Sequence, residues 1–132
     1  MGWRSWNAFG GRISQAIMTE QAIAMAATTG TADGRSLLSY GYQHVGLDDN
    51  WQACGTGVNG SYHDPTGKLL VNTTRFPSMT QYTAAIHALN LTAGYWRHSN
   101  QTQETWRCKR SESGFSPCRG GANAGFEGDG YC

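Results

Sequence analysis

The chain has 132 residues, enough for one modest domain and too few for two well-packed ones. Charged residues make up only 14% against 39% hydrophobic, with five Trp, which excludes a solvated, disordered polyelectrolyte. The net charge of +1 is evenly spread, five basic and five acidic residues through Trp96 and five against four beyond it. No basic stripe is present to hold a nucleic-acid backbone, and no apolar run is long enough to span a membrane.

In chain order, Met1 to Phe9 is aromatic and reads as a short strand running into a loop. Ser14 to Thr29 predicts a helix. Ala dominates it, Ile17, Met18, Ile23 and Met25 supply bulk, Ser14 is placed to cap its start, and Gly30 follows its end. Thr31 to Arg35 is a loop. Tyr40 to Leu47 is aromatic and β-branched enough for a strand, and it stops at Asp48-Asp49.

Asn50 to Pro77 is a long Gly- and Asn-rich loop, with Asp64-Pro65-Thr66-Gly67 as a turn because Pro presets the bend and Gly closes it. Ser78 to Asn90 predicts a second helix, since Met79, Tyr82, Ile86 and Leu89 fall on one face. Leu91 to Trp96 is a third strand. Strands joined by helices of this length run parallel with right-handed crossovers, an α/β architecture. Residues 97–132 lose all periodicity, so 1–96 is read as the folded unit and 97–132 as an irregular Cys- and Gly-rich tail.

Cys54, Cys108, Cys118 and Cys132 lack the short spacings of a zinc knuckle, and disulfides in an oxidising compartment are the expectation. Four N-glycosylation sequons, at Asn59, Asn72, Asn90 and Asn100, point to the same secretory route. Met1-Gly2-Trp3-Arg4 is not a signal peptide, so either a leader is missing from this sequence or the chain is not secreted.

Gly55-Thr56-Gly57-Val58-Asn59-Gly60 matches a dinucleotide-binding string, but it does not leave a strand directly, and Tyr62-His63-Asp64-Pro65 cannot continue a long helix. It reads as a loop. Asp48-Asp49 is more informative, because α/β folds gather ligand-binding groups at the C-terminal ends of their strands. The pair would repel if buried alone and needs hydrogen bonds from sugar hydroxyls, backbone amides or water, or a metal to ligate; a turn or helix cap is the bland alternative. Trp6 lies past the first strand, where its flat face suits the apolar side of a sugar ring, whereas Trp3 reads as core. His44, His63, His87 and His98 show no ligand spacing; His44 reads as packed in its strand and the others as exposed.

These strings also carry a resemblance. Met1-Gly2-Trp3-Arg4-Ser5-Trp6-Asn7-Ala8-Phe9 resembles the opening barrel strand of α-galactosidases of glycoside hydrolase family 27, and Gly41 to Trp51, with Leu47-Asp48-Asp49-Asn50-Trp51 at its end, resembles their second strand. Gln52-Ala53-Cys54-Gly55 and Asn72-Thr73-Thr74-Arg75-Phe76-Pro77 look like the following loop, and Leu91 to Trp96 looks like the third strand. The resemblance covers Met1 to Trp96 and implies the first βαβαβ part of a (β/α)8 TIM barrel. It further implies a secreted, vacuolar or lysosomal glycosidase that removes terminal α-galactose with retention, without metal or organic cofactor.

By that resemblance Asp48 and Asp49 would bind the galactose hydroxyls farthest from the cleaved bond, Trp6 would pack on the ring, Trp96 would fall at a substrate-contacting position, and Cys54 would be half of a disulfide. The partner implied is a galactose-terminated oligosaccharide or glycolipid, with α-N-acetylgalactosaminidase not separable from α-galactosidase. Retaining hydrolysis needs two carboxyl groups about 5–5.5 Å apart across the scissile bond, and such a barrel needs about 250 residues. Neither catalytic carboxylate of the family finds a counterpart here. The expectation is therefore a fragment of an α-galactosidase-like hydrolase, inactive alone; the alternatives are a non-catalytic galactoside-binding remnant and a truncated reading frame.

Overall fold

A computed structural model describes residues 1–95. Three strands, β1 (Gly2–Arg4), β2 (His44–Leu47) and β3 (Thr92–Tyr95), form one parallel sheet in the order β1-β2-β3. Their register places Arg4 beside Gly46 and Gly46 beside Gly94. Three helices lie between them: α1 (Trp6–Phe9), α2 (Gln15–Ala26) and α3 (Met79–Ala88). The expected parallel α/β order is observed.

Side chains of a strand alternate between faces, and here the two faces differ sharply. Val45 and Leu47 point into a core with Ile13, Met18, Ala22, Met25, Phe76, Tyr82, Ile86 and Leu91, so α2 and α3 cover this face. Arg4, Gly46 and Asp48 have the opposite parity. Most of the core comes from aliphatic and aromatic side chains that are essentially enclosed, each removing apolar area from water at roughly 25 cal/mol per Å².

Both long helices start behind a serine cap, the expected Ser14 and, for α3, Ser78. Ser14 and Ser78 are extended, and their Oγ atoms accept the Ile17 and Gln81 amide protons at 3.3 and 3.2 Å. Gln15 then joins the two starts: its amide donates to the Arg75 carbonyl at 2.9 Å and its Oε1 accepts from the Ser78 amide at 2.9 Å.

Several boundaries differ from the sequence reading. The first strand runs into α1 rather than a loop. Helix α2 ends at Ala26 with Ala27 extended, so Gly30, at φ 81°, belongs to the loop rather than to the helix end. Ile23 is 52% exposed while Ala22 is enclosed, because the buried face of α2 follows Met18, Ala22 and Met25. Strand β2 starts at His44, since Leu38–Tyr40 forms a 3₁₀ turn closed by the left-handed Gly41. The β2–α3 loop carries two antiparallel bridges, Gln52 with Val71 and His63 with Leu69. At its tip the Asp64 carboxylate accepts from the Thr66 and Lys68 amides at 2.8 and 2.9 Å, the turn expected there. No helix among the described residues is long and apolar enough to cross a membrane.

Candidate functional site

The C-terminal ends of β1 and β2 meet at Arg4, Ser5, Trp6, Asp48 and Asp49. Register explains the meeting: Arg4 lies beside Gly46, and Asp48 is two residues further along on the same face. Gly46 puts no side chain between them. Arg4 Nε reaches Asp48 Oδ2 at 3.0 Å and Arg4 Nη2 reaches Oδ1 at 3.1 Å, a two-pronged ion pair. The Asp48 side chain is 4% exposed and that of Arg4 21%.

Asp48 therefore has donors from the protein itself. Besides Arg4, the Trp6 backbone N–H donates to its carboxylate, and Ser5 Oγ accepts the Asp48 amide proton at 3.0 Å. Burial is the largest influence on its acidity and raises its pKa above the usual carboxylate value; the charge and hydrogen bonds of Arg4 and the Trp6 amide oppose that, and Asp49 adds to it. Arg4 is a partner absent from the sugar, amides, metal or water expected from the sequence. Its signal was present: a cation inside a strand, at the parity that a parallel register brings to Asp48.

Asp49 is buried too, with Oδ1 accepting the Asn50 amide at 3.1 Å. Asn50 sits at φ 81° and its Nδ2 donates to the Gly11 carbonyl at 2.8 Å, which ties the end of β2 to the α1–α2 connection. Trp6, on α1, is half-buried. Trp96 lies outside the described residues, as do Asn100, Cys108, Cys118 and Cys132. Its neighbour Tyr95 is 38% exposed and meets the buried Trp51 edge-on at 5.1 Å between centroids. Trp51 also leans on Tyr62 at 6.3 Å, so it joins the loop to β3.

Beyond Asn50 a cleft of about 630 Å³ opens between Gln52, Thr56, Leu70, Asn72 and Arg75. Buried Gln52 forms part of its wall; its Oε1 accepts the Asn50 amide at 2.9 Å, and its Nε2 has no hydrogen-bond partner among the described residues. The Gly55–Gly60 string leads into a 3₁₀ turn at Val58–Gly60, not a long helix, in keeping with a loop. Cys54 lines the same cleft. Among the sequon residues Asn59 and Asn90 are exposed, while Asn72 is half-buried and its Oδ1 accepts from the Arg75 amide at 3.3 Å. His63, expected to be exposed, is half-buried and stacks on Tyr62 at 5.0 Å. Among the described residues no three His, Cys, Asp or Glu gather closely enough to hold a metal ion.

No family model matches the chain. Curated proteins do: it is 34% identical over 104 residues to an α-galactosidase of Cyamopsis tetragonoloba, covering 77% of this chain and 22% of that protein. It is also 34% identical over 97 residues to a probable α-galactosidase of Dictyostelium discoideum, covering 73% of the chain and 21% of that protein. Among solved structures, α-galactosidase I of Mortierella vinacea superposes with a TM-score of 0.58 at 30% identity, covering 73% of the chain and 21% of its own length. About three quarters of this chain is α-galactosidase-like. The α-galactosidase of Saccharomyces cerevisiae, at 24% identity and TM-score 0.58, shares the fold over the same share of the chain. The chain spans about a fifth of the length of the α-galactosidases it matches.

Proposed function

We propose that β1, β2 and β3 are the first three strands of an eight-stranded α-galactosidase barrel and that this chain supplies part of its sugar-binding site. The observation that carries the reading is the Asp48-Asp49 pair, buried at the C-terminal end of β2 beside Trp6, in a chain 34% identical to an α-galactosidase. Carboxylate oxygens accept hydroxyl protons, and a flat indole covers the apolar face of a sugar ring. Asp48 and Asp49 would take the galactose hydroxyls remote from the cleaved bond, Trp6 would stack on the ring, and Trp96 would complete the contact from the end of β3.

The parent reaction on this reading is retaining hydrolysis of a terminal α-galactoside on an oligosaccharide or glycolipid. One S. cerevisiae relative was solved with raffinose, a ligand of that class. Neighbouring residues such as Asp48 and Asp49 are not placed to act from opposite sides of a scissile bond, so they serve binding rather than the two catalytic roles. The even count of four cysteines and the exposed sequons at Asn59 and Asn90 support a secretory or vacuolar setting.

Titration of the full chain with galactose, followed by Trp fluorescence, tests this. Saturable quenching is expected in the millimolar range and should vanish in Asp49→Ala; no response up to high millimolar galactose overturns the reading. With an aryl α-galactoside the chain alone should show no turnover. Turnover abolished by Asp49→Asn would show that this chain holds more of the catalytic centre than binding groups.

A further inference from the structure

We infer that Arg4 is a positioning residue of this sugar site, holding both oxygens of Asp48 so that the carboxylate stays charged and correctly turned toward a hydroxyl-bearing ligand. The inference rests on the galactoside reading above and adds to it a residue that touches Asp48 rather than sugar.

Three features carry it. First, the fork is complete: Nε and Nη2 each meet a different oxygen, at 3.0 and 3.1 Å, which fixes the carboxylate plane as a single lysine contact would not. Second, the pair straddles a boundary, with the Asp48 side chain enclosed and the Arg4 side chain partly exposed. Third, a carboxylate offers about four lone-pair directions. Arg4 uses one on each oxygen and the Trp6 N–H uses another, so acceptor capacity remains for a ligand hydroxyl.

The charged groups described around Asp48 are Arg4 from β1 and the adjacent Asp49, with the Trp6 N–H from α1. Burial and Asp49 both favour the protonated acid; Arg4 is the opposing charge. A protonated Asp48 would offer a donor where the site needs an acceptor. Galactose binding should then weaken as pH falls, and should do so at higher pH once Arg4 is gone.

The experiment uses the full chain with ¹³C-labelled Asp carboxyls, the Asp48 resonance being assigned with Asp48→Asn. NMR titration midpoints are compared for wild type, Arg4→Met and Arg4→Lys, alongside galactose affinity from pH 5 to 8. The Asp48 midpoint should move up in Arg4→Met and part-way in Arg4→Lys. Galactose affinity at pH 5 should fall about tenfold in Arg4→Met and recover toward pH 8, a pH dependence that a merely structural loss would not produce. If Arg4→Met does not fold, Arg4→Lys carries the test, and a midpoint equal to wild type overturns the role. A galactose response with an unmoved Asp48 midpoint overturns Arg4's role alone; a wild-type chain indifferent to galactose overturns the sugar site itself, whatever the titration gives.

Discussion

Ser5 Oγ accepts the Asp48 backbone proton at 3.0 Å, joining residues 43 apart in sequence at the lip of the sheet. Ser5 is fully buried, and its own amide donates to the Gly46 carbonyl at 3.2 Å, which extends the β1–β2 ladder by one step. The hydroxyl thus continues a strand pairing past the point where backbone alone would do it. Ser5→Ala leaves the Asp48 amide without this acceptor and should cost about 1–3 kcal/mol. Urea unfolding measures it; a loss under about 0.5 kcal/mol would mean that water replaces the hydroxyl.

The two faces of α2 give a paired prediction. Met18 is fully enclosed, and Met18→Ala should cost about 2–5 kcal/mol through lost burial and the cavity left behind. Ile23 is 52% exposed, and Ile23→Ala should change stability by no more than about 0.5 kcal/mol. Equal losses in the two variants, read from unfolding midpoints, would contradict the packing of α2 described here.

Asp48 also has a consequence for stability against pH. Burial raises its folded pKa above the ordinary 3.8, so between those two values the folded chain holds a proton that the unfolded chain has released. This group therefore makes stability fall as pH rises through that window, with flat contributions on either side. The opposite slope, typical of carboxylates with lowered pKa, is not expected from it. Unfolding midpoints from pH 3.5 to 6 should show this component in wild type and lose it in Asp48→Asn; identical slopes would refute it.

Gly57 is needed for space. A Cβ there would lie 2.6 Å from the His63 nitrogen and 2.9 Å from its carbonyl carbon, both backbone atoms that cannot swing aside. Gly57→Ala should cost about 1–3 kcal/mol and strip hydrogen-exchange protection from the Val58 amide, which donates to the His63 carbonyl at 2.8 Å. Retained protection would show that the loop gives way without loss.

What could be read from the sequence was mostly local. The start of α2 was legible because Ser14, ahead of an apolar run, satisfies an amide within three residues, and α3 was legible from the single face of Met79, Tyr82, Ile86 and Leu89. The turn at Asp64 was legible from Pro65, which presets the bend, and Gly67, which closes it. Asp48 and Asp49 were legible from their position after a strand. Arg4 was not, since its partner is 44 residues away and the pairing depends on the β1–β2 register. The second strand was expected from Tyr40, yet Tyr40 closes the 3₁₀ turn and β2 starts only at His44, because Tyr suits a strand and only the left-handed Gly41 marks the break. Burial of Ala22 in place of Ile23 turns on which side of α2 meets α3, a tertiary fact that composition does not carry.

Both ends of the β2–α3 loop are tied down, by the Asn50 contact with Gly11 and by the link from Gln15 to Arg75 and Ser78. Its middle is drawn together by the Gln52–Val71 bridge, while the outer turn at Asp64–Gly67 rests chiefly on its own hydrogen bonds. That tip is consequently a graft point. A peptide tag or an added recognition hairpin inserted between Pro65 and Gly67 would extend outward from a clamped stem, leaving α3 and the carboxylate pair where they stand.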